Sequence, residues 1–280
     1  MSSVGKVIFI GAGPGAADLI TVRGAQRLAE ADVVLFDALA DPALRAYAPK
    51  ARWIDVGKRG LTGVPHAPSL PMYLPTYNST GQDTINALLV HHAGAGNVVV
   101  RLKGGDPSIF GRLEEELEAL AEAGIDSEVV PGVTAAIAAA AATQRPLTRR
   151  GAGRSVSFTT AMTREGELRA SRSADTEVFY MAGRQLAALS RRLLAVGWPA
   201  STPVCVVSRA GWPDQLSSDH SVETLARATV LHAGRPAVVT VGAGATPLAR
   251  RRGTEAIEAT DADADKAGAS RGRVAATLKL

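Results

Sequence analysis

The residues best suited to do chemistry fall at the ends of short apolar runs. Val98-Val99-Val100-Arg101-Leu102-Lys103 leads directly into Gly104-Gly105-Asp106-Pro107. The β-branched run predicts a buried strand, and the Gly-Gly-Asp-Pro turn interrupts it before a helix starts at Arg112-Leu113-Glu114. Glycines able to take positive φ let a backbone approach a ligand closely, and Asp106 adds a carboxylate at that point. Near the start, Lys6 to Ile10 (KVIFI) runs into Gly11-Ala12-Gly13-Pro14-Gly15-Ala16, and the next apolar run, VVLF, ends in Asp37. A strand, a G-x-G-x-x-G/A turn and an acid closing the following strand form a loose dinucleotide pattern, in which the acid would hold a ribose. Pro14 is unusual there, because it removes an N–H that a pyrophosphate would use.

Turns of this kind bind ligands at the carboxyl ends of parallel strands, so a sheet must stand behind them. The pattern of apolar residues predicts an α/β chain. In the first half, a helix spans Leu19 to Ala31, with Leu19, Val22, Leu28 and Ala29 as its buried face. A short helix covers Asp41 to Ala48, and a strand from Arg52 to Val56 ends in Gly57-Lys58-Arg59-Gly60. Residues 61–80 carry Pro65, Pro68, Pro71 and Pro75 and read as a loop or lid. Helices follow at Gln82 to His92 and Glu114 to Ala123, the second with Arg112 and Glu115 at its first turn. A second half is expected to begin near Gly124 with a strand at Ser127 to Val130, the turn Pro131-Gly132-Val133-Thr134 and an Ala-rich helix from Ala135 to Thr143. Strands at 155–160, 178–181, 203–208 and 237–241, helices at 185–196 and 222–228, and a hairpin through Trp212-Pro213-Asp214 complete it. These connections predict a sheet with antiparallel members. The expected domains are 1–118 and 119–246, and 247–280, without apolar period, reads as a disordered tail.

Composition narrows the function. Of 280 residues 46% are hydrophobic and 21% charged, the balance of a globular protein. No apolar run approaches the roughly 20 residues of a membrane span, and the start lacks a signal-peptide layout, so the expected compartment is the cytoplasm, with no membrane partner. The single cysteine, Cys205, excludes an internal disulfide and reads as a buried small residue. His91 and His92 read as charges favourable at a helix C-terminus, not as metal ligands. The net charge of +4 favours an acidic partner. Basic residues form no block with interleaved aromatics, which argues against nucleic acid. Lys58-Arg59, Arg101, Lys103, Arg112, Arg149-Arg150 and Arg154 fall beside Gly-rich turns instead, which leaves two readings, a solvated surface for most of them or a cleft for a polyanionic small molecule.

In order and approximate spacing, GAGPG, VVLFDAL, DVGKRG, VVRLKGGDPSIFGR, EVVPGVTAA and PLTRRG resemble the motifs of the tetrapyrrole methylases, over residues 4–245. The resemblance implies two α/β domains with a cleft between them for S-adenosylmethionine (SAM) and substrate, a homodimer, and no metal. It is strongest to the branch that methylates uroporphyrinogen III at two carbons, giving precorrin-2 for sirohaem and cobalamin. Carried over position by position, it implies cofactor contacts at Pro14, Gly104, Gly105, Asp106, Ile109, Thr134, Ala135, Met181, Ala210 and Gly242. It implies a proton acceptor at Asp37, a proton donor at Lys58, and a pair at Arg112 and Glu115 that holds or deprotonates the substrate. The chain departs from the family pattern in a longer Pro-rich loop before Gln82, and at Leu113-Glu114, Gln144-Arg145, Arg149 and Ala161-Met162. Three other readings stay open: a methylase of a later corrin precursor, a tetrapyrrole-binding protein without activity, and an NAD-dependent oxidoreductase using the GAGPGA turn.

Overall fold

Five strands of the first half, β1 (Lys6–Gly11), β2 (Val33–Phe36), β3 (Arg52–Asp55), β4 (Val98–Lys103) and β5 (Asp126–Val130), pair in the order β3-β2-β4-β1-β5. Every pairing is parallel. The near-continuous apolar runs of β1, β2 and β4 reflect burial on both faces, while the edge strands β3 and β5 are more polar and more exposed. On one face Val7, Phe9, Leu35 and Val99 pack with Leu89 of α2 (Gly81–Gly94) and Leu120 of α3 (Leu113–Glu122). On the other, Ile8, Ile10, Val34 and Leu102 pack with Leu28 of α1 (Val22–Leu28) and with Leu44. Phe9, Leu89 and Leu102 are completely buried, each contributing roughly 2 kcal/mol of transfer free energy. The coordinates are a computed structural model that describes residues 4–37, 39–57, 81–161 and 168–248.

The second sheet contains β6 (Val156–Thr160), β7 (Thr176–Tyr180), β8 (Pro203–Ser208), β9 (Leu216–Ser221) and β10 (Ala237–Gly242), in the order β6-β7-β10-β8-β9. Only β6 and β7 run parallel, so the mixed sheet expected from the connections is present. One face packs on Leu186, Leu189 and Leu193 of α5 (Leu186–Ala195). The other packs on Ala136 and Ala139 of α4 (Ala135–Ala142), whose alanines let helix and strands approach closely. A last short helix, α6, spans Thr229–His232.

Four elements differ from expectation, among them the helix expected at 222–228, which is a 3₁₀ turn at Leu225–Ala228 running into α6. The strand at 126–130 does not open the second sheet; it pairs with β1 at the edge of the first, and the chain crosses to the second only with α4. The helix expected at 19–31 is a 3₁₀ turn at Ala17–Leu19 followed by α1, because Thr21 caps the helix by accepting a hydrogen bond from Gly24 N. That start changes the buried face to Gly24 and Leu28 and leaves Val22 76% exposed. Residues 42–47 are likewise 3₁₀, started by Pro42 with Asp41 accepting from Ala43 N. The Pro-rich stretch 61–80, Lys58 and the segment from 249 onward lie outside the described residues.

Candidate active site

The glycine turns after β1, β4 and β5 meet at one end of the first sheet. Ala12 N donates to Lys103 O (2.8 Å), Gly105 N to Gly13 O (2.7 Å) and Gly13 N to Gly105 O (3.3 Å). A Cβ on Gly11 would lie 2.5 Å from Gly132 Cα and 2.7 Å from Gly105 O, so these turns pack at a distance only glycine permits. Asp106 locks the third turn to the second: Oδ2 accepts from Gly132 N (2.9 Å) and Oδ1 from Ser108 N (2.8 Å).

This end faces the second sheet across a cavity of about 240 Å³. Eight positions expected to contact a cofactor line it: Pro14, Gly104, Gly105, Ile109, Thr134, Ala135, Met181 and Ala210. The other two do not. Asp106 acts behind the turn, as described. Gly242 sits at the opposite end of the second sheet, where its φ of 90° places it against Asp175 O and the Trp198 ring, beside a more open groove of about 590 Å³.

Sequence reasoning did not find Leu39, Phe110, Tyr180, Val207, Arg209 and Trp212, which also line the cavity. Leu39, Phe110 and Trp212 lie in loops, where no periodic signal marks them, and Tyr180 and Val207, near the ends of β7 and β8, read as ordinary strand residues. Backbone strain marks two of them, together with the expected Met181: Phe110, Arg209 and Met181 take φ of 53°, 52° and 57°, three of the five non-glycine residues with positive φ among those described. Such conformations persist where surrounding structure imposes them, and they cluster at ligand sites. Tyr180 shares a hydrogen bond of 2.7 Å with Thr134 Oγ1 and accepts from Ala136 N at the start of α4. Burial pushes its phenol above the ordinary tyrosine value. Arg209 is the one formally charged residue among the lining residues described, and its charge is occupied: Nε donates to Asp214 (2.7 Å) and the guanidinium lies 4.4 Å from the Trp212 ring centre.

Asp37 stands at the edge of this cavity, with Oδ2 accepting from Gly104 N (3.2 Å) and Oδ1 from Leu39 N (3.0 Å). Arg112 and Glu115 are not in the lining. They form a bidentate pair at the start of α3, Nε to Oε1 at 2.7 Å, with side chains 56% and 44% exposed. The hydrogen bonds to Glu115 raise the Arg112 pKa above its already high ordinary value. Beneath them, Arg101 and Lys103 both donate to the fully buried Glu116.

Four of the departures from the family pattern, at Leu113, Arg145, Arg149 and Ala161, engage elsewhere, while Met162 and the Pro-rich loop lie outside the described residues. Arg145 pairs with Asp219 and donates to Ala245 O, Arg149 donates to Thr246 O, Ala161 is buried against the second sheet, and Leu113 packs on the first. None lines the cavity. Cys205 is buried and its thiol is pushed up to about 11, which rules out a thiolate nucleophile at neutral pH. His92 is also buried, and burial lowers its pKa, so it is held neutral and does not act as the helix-terminal charge expected of it. Among the described residues no group of three or more His, Cys, Asp or Glu side chains is placed to hold a metal ion, and no helix is long and apolar enough to cross a membrane.

The GAGPGA turn is poorly suited to a pyrophosphate. Its Gly13 N–H and C=O are used by Gly105, Pro14 has no N–H, and no α-helix begins until Val22.

Residues 6–226 match the family of Tetrapyrrole (Corrin/Porphyrin) Methylases. The chain is 40% identical over 247 residues to the Uroporphyrinogen-III C-methyltransferase of Pseudomonas aeruginosa, covering 85% of this chain and 93% of that protein. It is 41% identical to Siroheme synthase 1 of Klebsiella pneumoniae, of which it spans 48%. Among solved structures it is similar to Uroporphyrin-III C-methyl transferase from Thermus thermophilus complexed with S-adenyl homocysteine, with a TM-score of 0.69 and 32% identity over 85% of this chain and 97% of that one.

Proposed function

The chain belongs to the tetrapyrrole methylases, and from that premise we propose that it is a SAM-dependent C-methyltransferase that methylates uroporphyrinogen III at two pyrrole carbons to give precorrin-2. The observation that carries this reading is the cavity itself, which gathers eight positions named by the family motifs from both sheets. The lining suits the cofactor. SAM presents a sulfonium cation, a ribosyl-adenine and a zwitterionic tail, and the glycine turns, apolar walls and neutralised Arg209 leave no free positive charge among the described lining residues to oppose the sulfonium. A dinucleotide's pyrophosphate would need a row of backbone N–H groups leading into a helix, whereas here the Gly13 N–H is taken by Gly105, Pro14 has none and no α-helix begins until Val22. When bound, SAM supplies an electrophilic methyl group.

The chain's own residues then have three tasks. Gly104, Gly105, Thr134, Met181 and Ala210 hold the donor in line with the acceptor carbon, an ordering that contributes much of the rate in such transfers. Asp37, fixed by two backbone N–H groups beside the cavity, takes the proton that the methylated carbon must lose. Arg112, oriented by Glu115, pairs with a carboxylate of the macrocycle, which bears eight of them. Lys58, outside the described residues, is proposed as proton donor. A homodimer, a cytoplasmic location, and a division into two domains with the first continued to Val130 belong to the same reading. Equilibrium titration with SAM, S-adenosylhomocysteine and NAD tests it: the two sulfur ligands should bind and NAD should not. Tight NAD binding without SAM binding would end it. A size measurement in solution checks the dimer.

A further inference from the structure

Under the first turn of α3 the protein buries three charges that the site described so far does not use. Glu116 is fully buried, and its two oxygens accept from Arg101 Nε (2.9 Å) and from Lys103 Nζ, themselves 5% and 3% exposed. Arg101 also donates to Leu102 O (3.0 Å). Two cations on one anion leave a positive excess on a sheet face otherwise lined by Val7, Phe9 and Val99. Removing ions from water costs several kcal/mol each, and apolar replacements of buried ion clusters are often neutral or stabilising. Stability therefore does not explain the cluster.

Its position does. Lys103 is the last residue of β4, and its Cε lies 3.1 Å from where a Cβ on Gly111 would be, so its stem fills the loop between Gly104 and Arg112 from inside. Asp37 is among the charges its ammonium feels, and Gly104, the next residue, donates to Asp37. Glu116 follows Glu115 directly in a helix whose start has no side-chain cap, Arg112 occupying that position at φ 56°. The turn is held instead from beneath by Glu116 and from the side by α2, where Asn86 Nδ2 donates to Glu115 O (3.1 Å) and Gln82 Nε2 to Asn86 Oδ1 (2.9 Å).

We propose that Glu116 and Lys103 are positioning residues for the substrate side of the site: Glu116 clamps the turn carrying Arg112 and Glu115 to the end of β4, and Lys103 keeps positive charge behind Asp37 where a carboxylate-bearing macrocycle docks. This rests on the proposed tetrapyrrole substrate. The cofactor side, built from the glycine turns and the second sheet, does not depend on the cluster. Burial and then Arg101 lower the Lys103 pKa, against the opposing pull of Glu116.

Two variants test the assignment. Lys103→Met leaves a neutral Arg101–Glu116 pair, so its melting midpoint should stay within about 3 °C of the parent, whereas Glu116→Gln strands two buried cations and should melt well below it. With Lys103→Met, uroporphyrin III, the oxidised form of the substrate that cannot be methylated, should bind at least about fivefold more weakly and kcat should fall at least about thirtyfold, with S-adenosylhomocysteine affinity within about twofold. Equal loss of stability in both variants would make the cluster a structural one and overturn the proposal. So would a Lys103→Met enzyme that binds the porphyrin and turns over like the parent. A parent protein that binds S-adenosylhomocysteine but neither binds nor methylates the tetrapyrrole would remove the proposed substrate instead, and the melting comparison would still decide the role of the cluster.

Discussion

Replacing Gly105 by valine separates the strain of its turn from its contact with the cofactor. Gly105 has φ 73°, and a Cβ there would meet only Thr134 Cα at 3.7 Å and Thr134 Oγ1 at 3.9 Å. The first carbon therefore fits, and the penalty is conformational: roughly 1–2 kcal/mol for an L-residue in the left-handed region, and more for a β-branched one. In a chain of this size that is a fall in melting midpoint of about 2–8 °C. Gly124, in the turn after α3, supplies the control, with φ 66° and open space around its Cβ position. Gly124→Val should carry the same strain and the same thermal loss without touching the cavity. The two must differ in binding. The methyls that Gly105→Val introduces extend past Thr134 into the lining, and the turn paired to Gly13 has to shift to relieve its strain, so the SAM Kd should rise at least about tenfold, or about 1.4 kcal/mol, against no change for Gly124→Val. Isothermal titration with SAM, alongside thermal melts, reads both quantities. Equal Kd values for the two folded variants would remove the Gly104-Gly105 turn from the cofactor site.

Arg112→Ala and Glu115→Ala should each lower turnover at least about a hundredfold with SAM affinity nearly intact, while Glu114→Ala changes it less than about threefold; because the pair is exposed, neither loss should shift stability by more than about 1 kcal/mol. A folded Arg112→Ala enzyme working at the parent rate would refute the role of the pair. Raising salt from low to moderate concentration should raise the KM for the tetrapyrrole far more than that for SAM, since screening weakens contacts with a polyanion, and equal responses would contradict a basic substrate side. Burial holds the imidazoles of His92, His220 and His232 below the ordinary histidine value. The unfolded chain then binds protons first, so the stability these groups contribute is complete above about pH 6.5 and is lost as pH falls from there through their lowered folded-state values. Melting midpoints should drop between pH 7.5 and 5.5, less so in His232→Gln, and a midpoint that rises on acidification would reverse the sign.

The strands and the glycine turns are legible in the chain because both have local causes. Runs such as KVIFI and VVVRLK have no stable place but a sheet buried on both faces, and Gly11, Gly105 and Gly132 stand where no Cβ fits or where φ is positive. What depends on partners distant in sequence is not legible. The strand 126–130 looks like the start of a second half because helix, turn and strand succeed one another there; its pairing with β1 is settled by register across more than a hundred residues. Val22 reads as apolar and buried until Thr21 sets where α1 begins. At the site, the motif glycines and Thr134 are visible in sequence, whereas Phe110 and Trp212 enter the cavity through loop conformations that no spacing encodes, and Tyr180, at the end of β7, reads as an ordinary strand residue. Glu116 illustrates the limit most sharply. In the run Glu114-Glu115-Glu116 it is one acid among three on an apparently solvated face, yet it alone is turned inward and fully buried.

The central claim is methyl transfer to a tetrapyrrole carbon. The unmodified protein, incubated anaerobically with uroporphyrinogen III and SAM carrying an isotopically labelled methyl group, should yield a product with two labelled methyls on carbon and two equivalents of S-adenosylhomocysteine, with Asp37→Asn strongly impaired. A folded protein that binds SAM but leaves uroporphyrinogen III unlabelled would contradict the account.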